Sequence, residues 1–237
     1  MIAIRGLRKR FGALDVLQGI DAVIPVGRIT GVVGPNAAGK TTLIKSILGL
    51  TRADSGSIEV DGVRVNGDES YRRRIGYMPQ IARFPSNLTG RELLSMLRDL
   101  RPDAAEVDEE LIASLGLVQE LSKKLNNLSG GTKQKINAVA AFMFKPDLLI
   151  LDEPTAGLDP RSSSVLKDKI LAERGEGRTF IITSHLMSEV EELADEVVFL
   201  SDGKVRFSGS VSQIKDLTRQ ANLERAVAEL MERGAAA

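Results

Sequence analysis

The sequence lacks cysteine and tryptophan, and it has one histidine among its 237 residues. Without cysteine the chain can form neither a disulfide nor a thiolate metal site, which fits a reducing compartment. The chain has 32 Lys and Arg residues and 32 Asp and Glu residues, so neither sign of charge is in excess. No net positive field therefore draws the chain to nucleic acid or anionic lipid, and we expect no nucleic-acid partner.

Long apolar runs are also missing. No stretch approaches the roughly 20 apolar residues that a membrane-spanning helix needs, and residues 1–7 lack the apolar core of a signal peptide. If the protein acts at a membrane, we expect another chain to supply the span. The length allows one large domain, or a main domain that carries an inserted lobe.

The strongest positive signal is a glycine-containing loop between an apolar, β-branched segment (28–34) and a segment with helical spacing (43–48). This is the strand, loop and helix context of a phosphate-binding loop; an ordinary Gly-rich turn is the alternative. In such a loop the backbone N–H groups face a polyphosphate, Lys40 reaches its β- and γ-phosphates, and the Thr41 hydroxyl can ligate Mg²⁺. The candidate nucleotide contacts in the loop are Gly34, Pro35, Asn36, Ala37, Ala38, Gly39, Lys40, Thr41 and Thr42.

Strand and helix patterns alternate along much of the chain, which predicts an α/β fold with a mostly parallel sheet covered on both faces. The first third reads as short strands, with a hairpin at Asp61-Gly62. From about residue 81, leucines at helical spacing predict an all-helical lobe, and Thr89 can cap its first helix with Glu92 in a capping box. Residues 211–233 read as a terminal helical appendage, with frayed alanines after it.

Two acidic residues close a later apolar run. Asp152 and Glu153 are expected at the carboxyl edge of a buried strand, where α/β sheets bind ligands. Asp152 would hold Mg²⁺ there, and Glu153 would orient or deprotonate the water that attacks the γ-phosphate; a solvated turn is the alternative. His185 ends the next strand and should emerge at the same edge, unless it is an ordinary structural histidine.

Gln80 and Phe11 each leave two interpretations open. Gln80 falls between the sheet domain and the helical lobe, where its amide could contact Mg²⁺ or the attacking water, or serve as a polar linker residue. Phe11 suits either a shielded packing role or stacking on adenine.

A second anion site is predicted in the helical lobe. Ser129 is a good N-cap for a long helix, and Gly130 and Gly131 bare the backbone N–H groups at its positive end. One nucleotide that bridges two copies of the chain would use both this site and the phosphate loop.

In this order and spacing, these segments resemble the ATP-binding subunit of ABC transporters. The resemblance extends from Met1 to about Ile214. Its motifs are residues 34–42, Gln80, 128–132, 148–153, 156–160 and His185.

The family resemblance implies a P-loop NTPase (RecA-like) core with an antiparallel β subdomain. The core would comprise residues 1–80 and 141–210. Residues 81–140 would form an inserted α-helical lobe with the signature motif, and residues 211–237 a C-terminal helical extension.

The resemblance also implies ATP and Mg²⁺ as cofactors and a head-to-tail homodimer or pseudo-dimer. ATP would lie between the phosphate loop of one copy and Ser129, Gly130 and Gly131 of the other. A separate transmembrane permease would contact Ile81–Leu88, so the protein would be cytoplasmic and peripheral on the inner face of the cell membrane. Carried over, Phe11 stacks on adenine, Gln80 couples to the permease, Glu153 is the catalytic base, Asp159 organises the dimer contact and His185 holds the γ-phosphate.

Two residues depart from the family pattern. Ala37 stands where glycine is usual, so its methyl group is expected to crowd the phosphate or strain the backbone, and to weaken ATP binding without abolishing it. Thr132 replaces the commoner glutamine, which we expect to matter little.

The leading interpretation is an ATP-hydrolysing transporter subunit. The alternatives are a soluble ABC-type ATPase of DNA repair or ribosomes, which usually adds coiled coils, zinc sites or a second ATPase unit, and a nucleotide switch that does not hydrolyse ATP. The absence of a long C-terminal regulatory domain favours an exporter type over sugar importers. Segments 75–98 and 128–160 resemble the ATPase subunit of the complex that helps mature the copper sites of nitrous oxide reductase.

Overall fold

Two β-sheets organise the computed structural model, which describes residues 1–65, 67, 69–104 and 107–235. The strands are β1 (Ile2–Phe11), β2 (Leu14–Ile24), β3 (Ile29–Val33), β4 (Ser55–Val60), β5 (Val63–Arg64), β6 (Ile75–Met78), β7 (Leu148–Asp152), β8 (Thr179–Thr183), β9 (Glu196–Ser201) and β10 (Lys204–Ser210). The smaller sheet has the order β2-β1-β4-β5 and is antiparallel. The larger has the order β10-β9-β3-β8-β7-β6, and only its edge pair β9–β10 is antiparallel. The predicted α/β fold, with a mostly parallel sheet and an antiparallel subdomain, is confirmed.

Helices cover the larger sheet and form the lobe. They are α1 (Lys40–Ile47), α2 (Gly90–Asp99), α3 (Glu110–Ser114), α4 (Gly130–Phe142), α5 (Pro160–Gly175), α6 (Met187–Leu193), α7 (Val211–Thr218) and α8 (Leu223–Ala235). The predicted capping box begins α2: the Glu92 N–H donates to Thr89 Oγ1 at 3.2 Å, and the Thr89 N–H donates to Glu92 Oε2 at 2.8 Å. Within the described part of the chain, none of these helices combines the length and the apolar composition of a membrane-spanning segment.

Alternation along the central strands sends apolar side chains to both faces of the parallel sheet. In β8, Phe180 and Ile182 pack with the leucines of the helical lobe, while Ile181 packs with α1 and the antiparallel sheet. The strand is buried throughout, as expected of a strand covered on both sides.

The C-terminal part of the fold differs from the sequence-based expectation in two ways. Strand β10 is absent from the sequence-based prediction; its apolar residues Val205 and Phe207 are only half-buried at the edge of the sheet. The predicted appendage is two helices, separated near Arg219, which has φ +56°. These helices belong to the core, since Leu223 and Ala226 of α8 are fully buried. Of the terminal alanines, residues 236 and 237 lie outside the described residues.

The predicted domain limits after residues 80, 140 and 210 stay predictions. Helix α4 crosses the second limit: its N-terminus lies at the signature motif, and Phe142 near its end contacts Phe180 of the sheet, with ring centroids 6.3 Å apart.

A buried ion cluster fastens the start of α3 to α5. Lys169 Nζ lies 2.7 Å from Asp108 Oδ2, 2.7 Å from Glu110 Oε2 and 2.9 Å from Glu173 Oε1. The side chains of Lys169, Asp108 and Glu173 are at most 10% exposed. Burial raises the pKa of Asp108, but hydrogen bonds from Lys169 and the Glu110 backbone outweigh it and leave that pKa below its ordinary value.

Lys169→Met should lower the free energy of unfolding by about 3–5 kcal/mol, because it leaves the buried Asp108 carboxylate without its ion-pair partner, whereas Glu173 still pairs with Arg178. A depressed folded-state pKa contributes stability above the unfolded pKa and loses it as the pH falls through the folded value. The deficit of the variant should therefore be full at pH 7 and shrink below about pH 4, where Asp108 protonates in the unfolded chain. Urea unfolding of the wild type and the variant, at pH 7 and below about pH 4, measures the difference in the free energy of unfolding.

Lys167→Met is the matched control, since Lys167 lies on the same helix and pairs with the exposed Glu192. It should cost about 0–1 kcal/mol. Equal losses in the two variants would contradict the importance assigned to the buried cluster.

Candidate active site

Four neighbouring parallel strands end at one edge of the larger sheet. Strands β3, β8, β7 and β6 are hydrogen-bonded in that order, so their carboxyl ends lie side by side. The phosphate loop follows β3, His185 follows β8, Glu153 follows β7, and Gln80 follows β6. Residues far apart in the sequence therefore share the edge where open α/β sheets bind ligands.

The phosphate loop needs glycine at both ends. Gly34 has φ +151°, and a Cβ there would lie 2.0 Å from the Leu200 carbonyl oxygen. Gly39 is the N-cap of α1 with φ +105°, and a Cβ there would meet the Val16 carbonyl oxygen at 3.0 Å. Lys40 Nζ closes over the loop, donating to the carbonyl oxygens of Gly34 at 2.6 Å and Pro35 at 3.0 Å.

Ala37 carries the backbone strain expected from the sequence. It is exposed and has φ +63°, a left-handed conformation that costs an L-residue about 1–2 kcal/mol and glycine little. Its effect on ATP affinity stays a prediction.

Asp152 is the buried acid of the site, 7% exposed at the end of β7. Its Oδ1 accepts a hydrogen bond from Thr183 Oγ1 on the neighbouring strand. Burial raises the pKa of Asp152, and the hydrogen bond from Thr183 only partly opposes this rise. Burial lowers the pKa of Lys40, and the nearby charges of Glu153 and Asp152 only partly oppose this fall. Burial thus disfavours the charged form of both groups.

Glu153 has an unusual backbone. Its φ is +51°, and the conformation is held by hydrogen bonds from its N–H to the Thr183 carbonyl oxygen at 3.0 Å and to Thr183 Oγ1 at 3.1 Å. Gln134 of α4 donates to the Glu153 carbonyl oxygen at 3.3 Å. The side chain turns to the next strand end, where Glu153 Oε2 lies 3.1 Å from His185 Nδ1. A fixed carboxylate beside an exposed imidazole can orient water and hold a proton.

The two outlying candidates have different surroundings. Phe11 ends β1 and is 51% exposed, with Lys9 Nζ 5.1 Å from its ring centroid. The ring is therefore not shielded within this chain, and its stacking on adenine stays a prediction. Gln80 is exposed directly after β6 and Pro79, and Asn137 of α4 donates to the Pro79 carbonyl oxygen at 2.8 Å. A hydrogen bond thus connects the segment after β6 to helix α4 of the lobe.

The signature segment lies beside residues 154–159. Ser129 caps α4, accepting from the Thr132 N–H at 3.1 Å, and a Cβ on Gly131 would lie 2.8 Å from the Gly157 carbonyl oxygen. Asp159 caps α5 and pairs with Lys135 of α4 at 3.0 Å. Hydrogen bonds from Ser162, with Lys135, hold the pKa of Asp159 well below its usual range.

Sequence reasoning missed several polar residues that support the site. Thr183 joins Asp152 and Glu153, while Thr155 and Ser184 of the loops after β7 and β8 donate hydrogen bonds to the buried Glu189. The available signal was the pair of hydroxyl residues, Thr183 and Ser184, at the end of an otherwise apolar strand.

Comparison with known proteins identifies the family. The sequence profile described as "ABC transporter" matches residues 17–156, more than half of the chain. The chain belongs to the ABC transporter family. It is an ABC-type ATP-binding domain of the ATPase class. We call the sheet edge that carries the four strand ends and the phosphate loop the nucleotide edge.

Individual relatives agree with this assignment. The daunorubicin/doxorubicin resistance ATP-binding protein of Streptomyces peucetius is 35% identical over 215 residues, which cover 89% of this chain and 65% of that protein. The Nod factor export ATP-binding protein I of Burkholderia orbicola is 34% identical over 208 residues, covering 86% and 68%. The chain thus spans about two thirds of the length of these curated relatives. A solved ATP-binding subunit of an ABC transporter superposes with a TM-score of 0.90 at 29% identity, covering 98% of this chain and 99% of that one.

Ala37→Gly should raise the ATP affinity of this ABC domain about three- to tenfold, equivalent to roughly 1 kcal/mol, because glycine adopts the positive φ without strain and removes the methyl group beside the phosphate. Ala37→Val should lower the affinity, since a β-branched residue tolerates this φ less well. Titration with a fluorescent ATP analogue measures both. Ala38→Gly is the control for loop flexibility, because Ala38 has no positive φ; a gain in that variant equal to the gain in Ala37→Gly would argue against the strain.

Proposed function

We propose that this ABC domain hydrolyses ATP to drive a separate membrane-spanning subunit of an export system. The observation that carries the proposal is the contact of Glu153 with His185 at two adjacent strand ends. The carboxylates of Glu153 and Asp152 also lie near enough to Lys40 of the phosphate loop to raise its pKa, against the effect of burial. The family assignment supports it, as do relatives whose names refer to drug resistance and to Nod factor export.

Each residue of the nucleotide edge has a role in this proposal. The backbone N–H groups of residues 34–42 and the N-terminus of α1 bind the phosphates, and Lys40 exchanges its two carbonyl partners for phosphate oxygens. Phe11 offers an exposed ring to adenine. Glu153 accepts a proton from the attacking water, and His185 donates a hydrogen bond to the γ-phosphate.

The residues present fit a bound Mg²⁺. Thr41 supplies a hydroxyl, Gln80 an amide oxygen and Asp152 a buried carboxylate whose second oxygen remains after Thr183 has bound the first. Mg²⁺ in phosphate-transfer sites takes one or two carboxylates and fills its shell with phosphate oxygens and water. Among the described residues no group of three His, Cys, Asp or Glu side chains could hold a metal by itself, so these three residues would act together with ATP. The ion would neutralise phosphate charge.

The proposed catalytic unit contains two copies of the domain. The helix N-terminus at Ser129, Gly130 and Gly131 is largely exposed, and in the proposal it binds the γ-phosphate of ATP seated on the partner copy. Asp159 and its neighbours 156–158 lie beside this segment, so they would line the contact between the copies. ATP closes the pair and hydrolysis reopens it.

We further propose that residues 81–88 contact the membrane-spanning partner, with the domain on the cytoplasmic face of the cell membrane. Ile81, directly after Gln80, is 71% exposed, although Phe84 and Leu88 in the same segment pack against the core. The segment thus presents an anchored surface next to a residue that would sense the nucleotide. The resemblance of segments 75–98 and 128–160 to the ATPase subunit of the nitrous oxide reductase copper-maturation complex stays a prediction of cargo.

Glu153→Gln should reduce ATP turnover by about 10³-fold or more while ATP binding is retained, because the amide keeps the shape of the side chain but cannot accept the proton. Steady-state phosphate release and nucleotide titration test this. Loss of both binding and turnover would point to misfolding, and unchanged turnover would remove Glu153 from the mechanism. A wild-type protein that binds ATP but does not turn it over would favour the nucleotide switch.

Ile81→Asp should abolish co-purification of the tagged domain with its membrane partner and leave the basal ATPase rate within about twofold, because a charge replaces an exposed apolar contact outside the nucleotide edge. The assay is a pull-down from detergent-solubilised membranes of the native source, followed by mass spectrometry. Leu217→Asp is the control, since Leu217 is 54% exposed on α7. Recovery of ribosomal or DNA-repair proteins in place of a multi-span protein would favour the soluble class of ABC ATPase, and the identity of the partner tests the copper-maturation prediction.

A further inference from the structure

Glu189 is a buried acid that the catalytic proposal does not use. It lies in the first turn of α6 and is 7% exposed. Its two oxygens accept separate hydrogen bonds: Thr155 Oγ1 donates to Oε1 at 2.7 Å, and Ser184 Oγ donates to Oε2 at 2.6 Å. Both donors come from loops at the nucleotide edge.

The two hydroxyl donors flank the contact between Glu153 and His185. Thr155 lies two residues after Glu153 in a turn in which the Ala156 N–H donates to the Glu153 carbonyl oxygen at 3.2 Å. Ser184 directly precedes His185, and its Oγ accepts from the Leu186 N–H at 3.1 Å. One carboxylate therefore connects the loop after β7 to the loop after β8, on the two sides of the 3.1 Å contact.

Packing alone does not account for an acid at this position. The apolar contacts of α6 are made by Val190 and Leu193, which are 0% and 4% exposed, and a third apolar residue would be buried without the desolvation cost of a carboxylate. That cost is offset only because both oxygens have donors. The identity of the donors links the burial of Glu189 to the geometry of the site.

We propose that Glu189 is a positioning residue that sets the separation of the Glu153 carboxylate and the His185 imidazole by holding their loops together. This inference rests on the proposed ATP hydrolysis at that site. Glu189→Ala releases Thr155 and Ser184, so both loops gain freedom and the carboxylate and imidazole lose their fixed separation. The phosphate loop, which provides most of the nucleotide contacts, has no bond to Glu189.

Glu189→Ala should lower kcat about tenfold and leave the ATP affinity within about twofold, because a misplaced catalytic group affects the reacting geometry more than binding. Glu189→Gln should recover most of kcat, since its amide oxygen accepts one hydroxyl and its NH₂ group donates to the other. Glu192→Ala is the matched control. Glu192 lies on the same helix but bonds to Lys167 of α5, so its removal should leave kcat unchanged.

A double-mutant cycle with His185→Ala separates positioning from general stability. If Glu189 acts through the histidine loop, Glu189→Ala should cause little further loss of kcat in the His185→Ala background. Hydrogen–deuterium exchange provides a readout besides activity: peptides that span residues 154–159 and 183–187 should exchange faster in Glu189→Ala and not in Glu192→Ala.

Three outcomes would overturn the inference: an unchanged kcat in Glu189→Ala, a loss of equal size in both backgrounds, or no recovery in Glu189→Gln. Failure of the proposed function has a different signature. In that case the wild type and Glu153→Gln would show the same negligible turnover, and the exchange measurement alone would decide whether Glu189 holds the two loops together.

Discussion

The parallel pairing of β3, β8, β7 and β6 is the constraint on which the nucleotide edge depends. Parallel ladders align the strands in one direction, so each strand ends where its neighbour ends. The loops that follow bring residues 34–42, 80, 152–153 and 185 to one side of the domain. Because these strands are buried on both faces, their relative positions are set by core packing, and the loops inherit that rigidity.

Backbone strain occurs where that rigid edge meets the loops. Ala37 and Glu153 both have positive φ, one in the phosphate loop and one directly after Asp152. The two residues differ in the contacts that hold their backbone conformation. Glu153 is held by hydrogen bonds from its N–H group to Thr183 and by Gln134 at its carbonyl oxygen, whereas Ala37 is exposed. Strain that the surroundings hold in place is a usual feature of functional sites.

The sequence was informative wherever one local rule governs the structure. Apolar runs followed by Asp152, Glu153 and His185 identified the strand ends, and glycine spacing identified the phosphate loop. The connection made by Glu189 could not be predicted in this way, because Thr155 and Ser184 meet it through tertiary packing of three elements. Strand β10 escaped prediction since it lies at the sheet edge, and the break at Arg219 since neither glycine nor proline marks it.

Helix α6 is bonded both to the loop that carries His185 and to the terminal helices. Its first turn bonds to the loops beside His185 through Glu189, while Glu191 binds Lys215 of α7 and caps the start of α8 at the Leu223 N–H. A seven-residue helix is about 10 Å long. One short helix therefore supports the loop that carries His185 through Glu189 and the terminal helices through Glu191.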